Sequence, residues 1–135
     1  MSQIATSAHE MISGMSPELR PGTFVFATTP DPALVATLAA DAVATFRESE
    51  GVSLVLSSER AEQAGFDTDQ PMRCITLNVY SSLEGVGLTA AVATALAEAG
   101  IACNMIAAFH HDHAFVPSDS AERALQILQS LQHQG

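Results

Sequence analysis

The segment Ser81-Ser82-Leu83-Glu84-Gly85-Val86-Gly87 has the residue types best suited to hold a small ligand. Its glycines allow a backbone to approach a bound molecule closely. A helix starting after it offers unpaired N–H groups and a positive dipole end, which suit a carboxylate. The same residues also describe an ordinary strand-to-helix connection with serine capping. The second chemical cluster is His110-His111-Asp112-His113. Alternation along a strand puts positions 111 and 113 on one face and 110 and 112 on the other. Imidazole and carboxylate are suitable ligands for zinc or nickel, but a metal needs three or four convergent groups, and this alternation divides them. A polar turn is one alternative, and Asp112 as the acceptor for a ligand ammonium is another.

Catalysis finds little support. No spacing brings together a nucleophile, a base and an orienting group, and Ser81 and Ser82 are outside any GxSxG elbow. Glu84 as a general base competes with the usual solvated state of a loop carboxylate. A metal-dependent enzyme built on His111, Asp112 and His113 is the weakest reading. Met11, Met15 and Met105 read as core filler. The sequence has no lysine, which excludes a P-loop, a Schiff-base nucleophile and a pyridoxal-phosphate site. The expectation is a protein that is not an enzyme, with no cofactor and no metal.

The elements that must position these groups are readable from pattern. Ile4, Ala8, Met11, Ile12 and Met15 have helical spacing, stopped by Ser16 and Pro17. Thr23 to Thr28 is β-rich, and Pro30, Asp31 and Pro32 form a turn before a short Ala-rich helix, Ala33 to Ala40. Val43 to Glu48 and Val52 to Ser57 form a hairpin about Glu50-Gly51, and Ser57 or Ser58 caps a helix closed at Gly65. Asp67 to Pro71 is a polar linker. Cys74 to Tyr80 alternates as a half-buried strand, and a long helix runs from the glycine loop to Ala99. Strands Ala102 to Phe109 and His113 to Val116 flank a turn at His110 to Asp112, and Ser118 caps a last helix to Gln132.

The two halves thus share an order of elements, βαββα. At an offset of 63 positions, Ala44 and Phe46 fall on Ala107 and Phe109, Ser57 on Ser120, Glu59-Arg60-Ala61 on Glu122-Arg123-Ala124, and Gln63 on Gln126. This predicts a duplication, with modules 1–70 (including the leading helix) and 71–135. Right-handed crossovers place both helices of a repeat on one sheet face. Each repeat lacks the fourth strand of a βαββαβ module, and the last predicted helix leaves only three residues after it. The first strands of the repeats are therefore expected to be shared or exchanged between modules, or a second chain contributes.

With 135 residues, 47% hydrophobic and 15% charged, the chain has material for a folded core. A net charge of −10 repels nucleic acid and anionic lipid. No segment has the composition of a leader or a membrane span. Cys74 and Cys103 lie 29 positions apart in apolar runs and read as buried thiols, which suits a cytoplasmic location.

Longer motifs now carry a resemblance. They are Met15-Ser16-Pro17-Glu18-Leu19, Thr45-Phe46-Arg47-Glu48 with Glu50-Gly51 and Leu54-Val55-Leu56, the run Ser81 to Ala91, Leu96-Ala97-Glu98-Ala99-Gly100-Ile101, and Asp112-His113-Ala114-Phe115-Val116-Pro117. From about Met15 to about Leu128 the chain resembles the ACT-domain superfamily in its small bacterial tandem form. The second half is similar to the ACT modules of CASTOR-type arginine sensors and aspartate kinases. The resemblance implies an α/β fold of the α+β sandwich type: tandem ferredoxin-like modules with antiparallel sheets and helices on one face. It implies an amino-acid effector at an interface between ACT modules. The effector would be gripped by Ser82, Leu83, Glu84, Gly85, Val86 and Gly87, with Asp112 matching an acidic residue before the second hairpin strand. A regulatory or sensor protein is expected, acting as a homodimer with a small-molecule effector. The alternative is a ligand-free protein–protein interaction module. Two departures stand out: Thr29-Pro30-Asp31-Pro32 replaces the glycine loop in the first repeat, and Ser49 takes the place of Asp112 at the 63-residue offset.

Overall fold

The computed structural model describes residues 8–79 and 87–134. The elements are α1 (Ala8–Ser13), β1 (Pro17–Leu19), β2 (Phe24–Thr29), α2 (Pro32–Leu38), β3 (Ala44–Glu48), β4 (Gly51–Ser57), α3 (Ser58–Gln63), β5 (Met72–Leu77), α4 (Leu88–Glu98), β6 (Asn104–Ala107), β7 (Asp112–Pro117) and α5 (Ala121–Gln134), with a 3₁₀ turn, Ser118–Ser120, before α5. They form two compact units, residues 22–72 and residues 1–21 with 73–135. Both have antiparallel hairpins and the expected α+β ferredoxin-like pattern.

The unit 22–72 is a three-stranded sheet in the order β3-β4-β2. Alternation turns Val25, Leu54 and Leu56 to one face, where they bury with Leu38 of α2 and Ala61 of α3. Local chemistry sets the helix ends. Pro32 opens α2, and the Asp31 carboxylate accepts from the Ala33 N–H at 3.0 Å. Ser57 caps α3 by accepting from the Arg60 N–H at 3.1 Å. Gly65, at φ +85°, lets Phe66 N–H close back on the Ala61 carbonyl. Gly51 is required by space as well as torsion: a Cβ there would lie 2.8 Å from the Thr29 carbonyl oxygen.

The other unit is a sheet in the order β1-β5-β7-β6 covered on one face by α1, α4 and α5. Ile75 and Leu77 of β5 and Ala114 and Val116 of β7 meet Val92 and Leu96 of α4, Leu128 of α5, and Met11 and Met15 from the N-terminal segment. Here the structure corrects two expectations. The leading helix belongs to the second unit, where buried Met11 and Met15 are part of the core built around α4 and α5. The fourth strand of the second repeat is not an exchanged first strand. It is β1, whose Pro17, Glu18 and Leu19 pair antiparallel with Leu77, Thr76 and Ile75. Pairing satisfies the β5 edge, and buried methionines anchor the segment that carries β1.

The repeat register is also corrected. The helices α3 and α5 do start 63 residues apart, but β4 and β7 end 60 apart, at Ser57 and Pro117. The three residues of the 3₁₀ turn account for the difference. In the strands, core residues Leu54 and Leu56 therefore correspond to Ala114 and Val116, and Asp112 corresponds to Val52 rather than Ser49.

Candidate functional site

Asp112 is the first residue of β7, not part of the turn before it; the turn is the preceding stretch, where the Ala108 N–H bonds the His111 carbonyl at 3.1 Å. Pairing with Ala107 and alternation with Ala114 and Val116 aim its carboxylate at the face covered by helices. It is 7% exposed. In the first repeat the same place holds Val52, packed against an apolar core. An acid thus stands where the first repeat has a partly buried hydrophobe, and burying a carboxylate costs stability unless it is paired or protonated. Burial raises its carboxyl above the usual aspartate value, and the neighbouring His113 and His111 offset part of that rise.

The histidines fix this end of the sheet. His111 donates from Nδ1 to the Val79 carbonyl at 3.3 Å, tying the start of β7 to the chain just beyond β5. His113 points to the opposite face, where its Nδ1 lies 3.0 Å from Thr76 Oγ1; burial holds its imidazole below the usual histidine value. His110 packs edge-on against Phe109, with ring centroids 5.1 Å apart. Strand alternation thus separates Asp112 from His113, and among the described residues no group of three or more His, Cys, Asp or Glu could hold a metal ion. Thr76 and the Val79 carbonyl were not foreseen as partners of the histidines; only the position of Thr76 on an alternating strand hinted at it.

Gly87 begins α4 at φ +108° without a side-chain capping bond, whereas Asp31 and Ser57 cap α2 and α3. The first turn of α4 therefore presents backbone donors that its cap residue leaves unused. Leu88 at that end and Val79 beyond β5 belong to one core cluster. Gly87 and Asp112 are thus the two predicted site residues within the described structure. Ser82, Leu83, Glu84, Gly85 and Val86 lie outside the described residues. No helix among the described residues is long and apolar enough to cross a membrane.

Comparison with known proteins accounts for the duplicated architecture. Residues 5–73 match one ACT-domain model and residues 70–130 match another. A Vibrio cholerae protein of unknown function, described as a possible transport protein, is 51% identical, with a TM-score of 0.80 over 90% of this chain and 92% of its own. An Agrobacterium tumefaciens protein is 20% identical, with a TM-score of 0.66 over 86% of this chain and 87% of its own. The ligand-free regulatory subunit of aspartate kinase from Thermus thermophilus is 14% identical, with a TM-score of 0.57 over 87% of this chain and 97% of its own. Comparison with curated proteins returned no match.

Proposed function

The chain belongs to the ACT-domain family, and from that premise we propose that it is a regulatory or sensor protein, not an enzyme, that binds a small amino acid beside Asp112. The observation that carries this reading is the burial of the Asp112 side chain at a place where the first repeat has Val52. A ligand ammonium would neutralise that carboxylate and form charge-assisted hydrogen bonds with it. The ligand carboxylate would meet the backbone donors at the start of α4, with Ser82 to Gly87 completing the grip. The likeness to a regulatory subunit of aspartate kinase supports a regulatory role. Free Cys74 and Cys103 accord with work in the reducing cytoplasm.

Regulation would operate by linkage. An effector that prefers one arrangement of the protein shifts the population by its differential affinity for that arrangement, and the response passes to another protein. The test is thermal melting against each of the twenty amino acids, for wild type and Asp112→Asn. A ligand at ~100 times its Kd adds about 2.7 kcal/mol to folding. A shift confined to one amino acid or one chemical group, and lost in Asp112→Asn, is the expected result. Absence of any shift in wild type, or equal shifts in both proteins, defeats the assignment.

A further inference from the structure

We propose that the cavity at the end of the first repeat's sheet is a second ligand site, one that takes a small carboxylic acid lacking an ammonium group and holds its carboxylate on Arg47. Strand pairing builds the site. The register sets Thr29 of β2, Val52 of β4 and Arg47 of β3 side by side. Val52 lies two residues from core residue Leu54, so alternation turns the whole row to the face that carries the apolar core. Beyond that row opens a cavity of about 460 Å³, walled by Pro32 and Val35 of α2, by Val52 and by Arg47. Small-molecule sites span ~300–1,000 Å³, so the space suits a small organic acid and not a large cofactor.

Charge selects the ligand class. Arg20 and Arg60 pair with Glu18 and Asp41, and Arg73 and Arg123 donate to the carbonyls of Arg20 and Ala99. Among the described residues Arg47 has no such partner, although the chain carries fifteen Asp and Glu. The acids of its own hairpin are turned elsewhere. Glu48, one residue on and therefore on the opposite sheet face, accepts from Ser53 Oγ, and exposed Glu50 accepts from Ser49 Oγ at 2.8 Å. A guanidinium beside apolar walls offers paired donors to a carboxylate, while the walls receive an apolar body. The second repeat has the reverse arrangement, since its matching pair is Ala107 and Asp112 in place of Arg47 and Val52. An ammonium that suits Asp112 would find no carboxylate in the first repeat's row and would be repelled by Arg47. The two repeats thereby select ligand groups of opposite charge.

Amide chemical shifts of the full chain, titrated at constant ionic strength with butyrate, butyramide and 2-aminobutyrate, test this. Butyrate should give saturable shifts centred on Thr29, Val35, Arg47 and Val52. Butyramide keeps the shape without the charge and 2-aminobutyrate adds an ammonium, so each should bind there about tenfold more weakly or worse. Arg47→Gln should weaken butyrate by about the same factor and Arg47→Lys should retain part of the affinity, both with an unchanged circular dichroism spectrum because Arg47 is exposed. Glu50→Gln removes a negative charge from the rim and should tighten butyrate binding. Asp112→Asn should leave the butyrate response intact, so this site and the one proposed at Asp112 stand or fall separately. The absence of saturable butyrate shifts at these residues overturns the proposal, as does wild-type binding by Arg47→Gln or equal binding of 2-aminobutyrate or butyramide.

Discussion

Asp112, the acid at the centre of the proposed site, works against the fold that holds it. Its carboxyl is raised above 3.8 by burial, so the folded chain retains that proton more readily than the unfolded chain does. The stability this contributes is fully present below 3.8 and is lost as pH rises through the folded value. At neutral pH the ionised group therefore destabilises the ligand-free protein. Asp112→Asn keeps the shape and removes the charge, so its apo melting temperature should exceed that of wild type at pH 7. The difference should close in acid, as followed by melting across pH. His113 has the opposite dependence. Burial lowers its pKa below 6.5, so its contribution is present above 6.5 and lost as pH falls through the folded value. His113→Gln should flatten the fall in melting temperature below pH 6.5 relative to wild type. At this scale the sequence singled out Asp112 but placed it in a turn, whereas it opens β7. A polar triplet looks like a turn until strand pairing with Ala107 extends β7 by one residue. That extension turns a solvated acid into a buried one.

At the scale of elements, the termini of helices were the most legible features because they are determined locally. Asp31-Pro32, Ser57 and Gly65 each act through neighbours within a few residues. β1 was illegible for the converse reason. Pro17-Glu18-Leu19 is too short to show alternation, and it becomes a strand only through β5, far along the chain. The same distance hid the 3₁₀ turn, since a gapless match between helices absorbed three residues that the strands do not share. The N-terminal segment is correspondingly a structural part of the C-terminal module. Met15 is fully buried in that core. Met15→Ala should therefore cost ~2–5 kcal/mol, the usual range for truncating a buried methionine. Hydrogen exchange should find the loss of protection in β5, β7 and α4. A loss confined to residues 22–72 would contradict the assignment of this segment to its unit.

For the whole molecule, the excess of acid works against compactness in both units. Residues 22–72 carry eight Asp and Glu against two Arg, and the remainder carries seven against three. Self-repulsion is spread over many exposed carboxylates, whereas the compensating ion pairs are few. Among the described residues, Arg20 pairs with Glu18 at 3.1 Å and Arg60 with Asp41 at 2.9 Å. Such surface pairs are worth ~0–1 kcal/mol each. Salt screens both the repulsion and the pairing, with a Debye length of about 8 Å at ~0.15 M and about 30 Å at ~0.01 M. Because the repulsion outweighs two weak pairs, stability should rise as salt is raised through this range. The gain should be greater for residues 22–72, where the imbalance is steeper, and amide exchange at the two salt concentrations reads each unit separately. A fall in protection within residues 22–72 would mean that the Arg60–Asp41 pair outweighs the repulsion among its eight acids, a result incompatible with the small worth of exposed ion pairs.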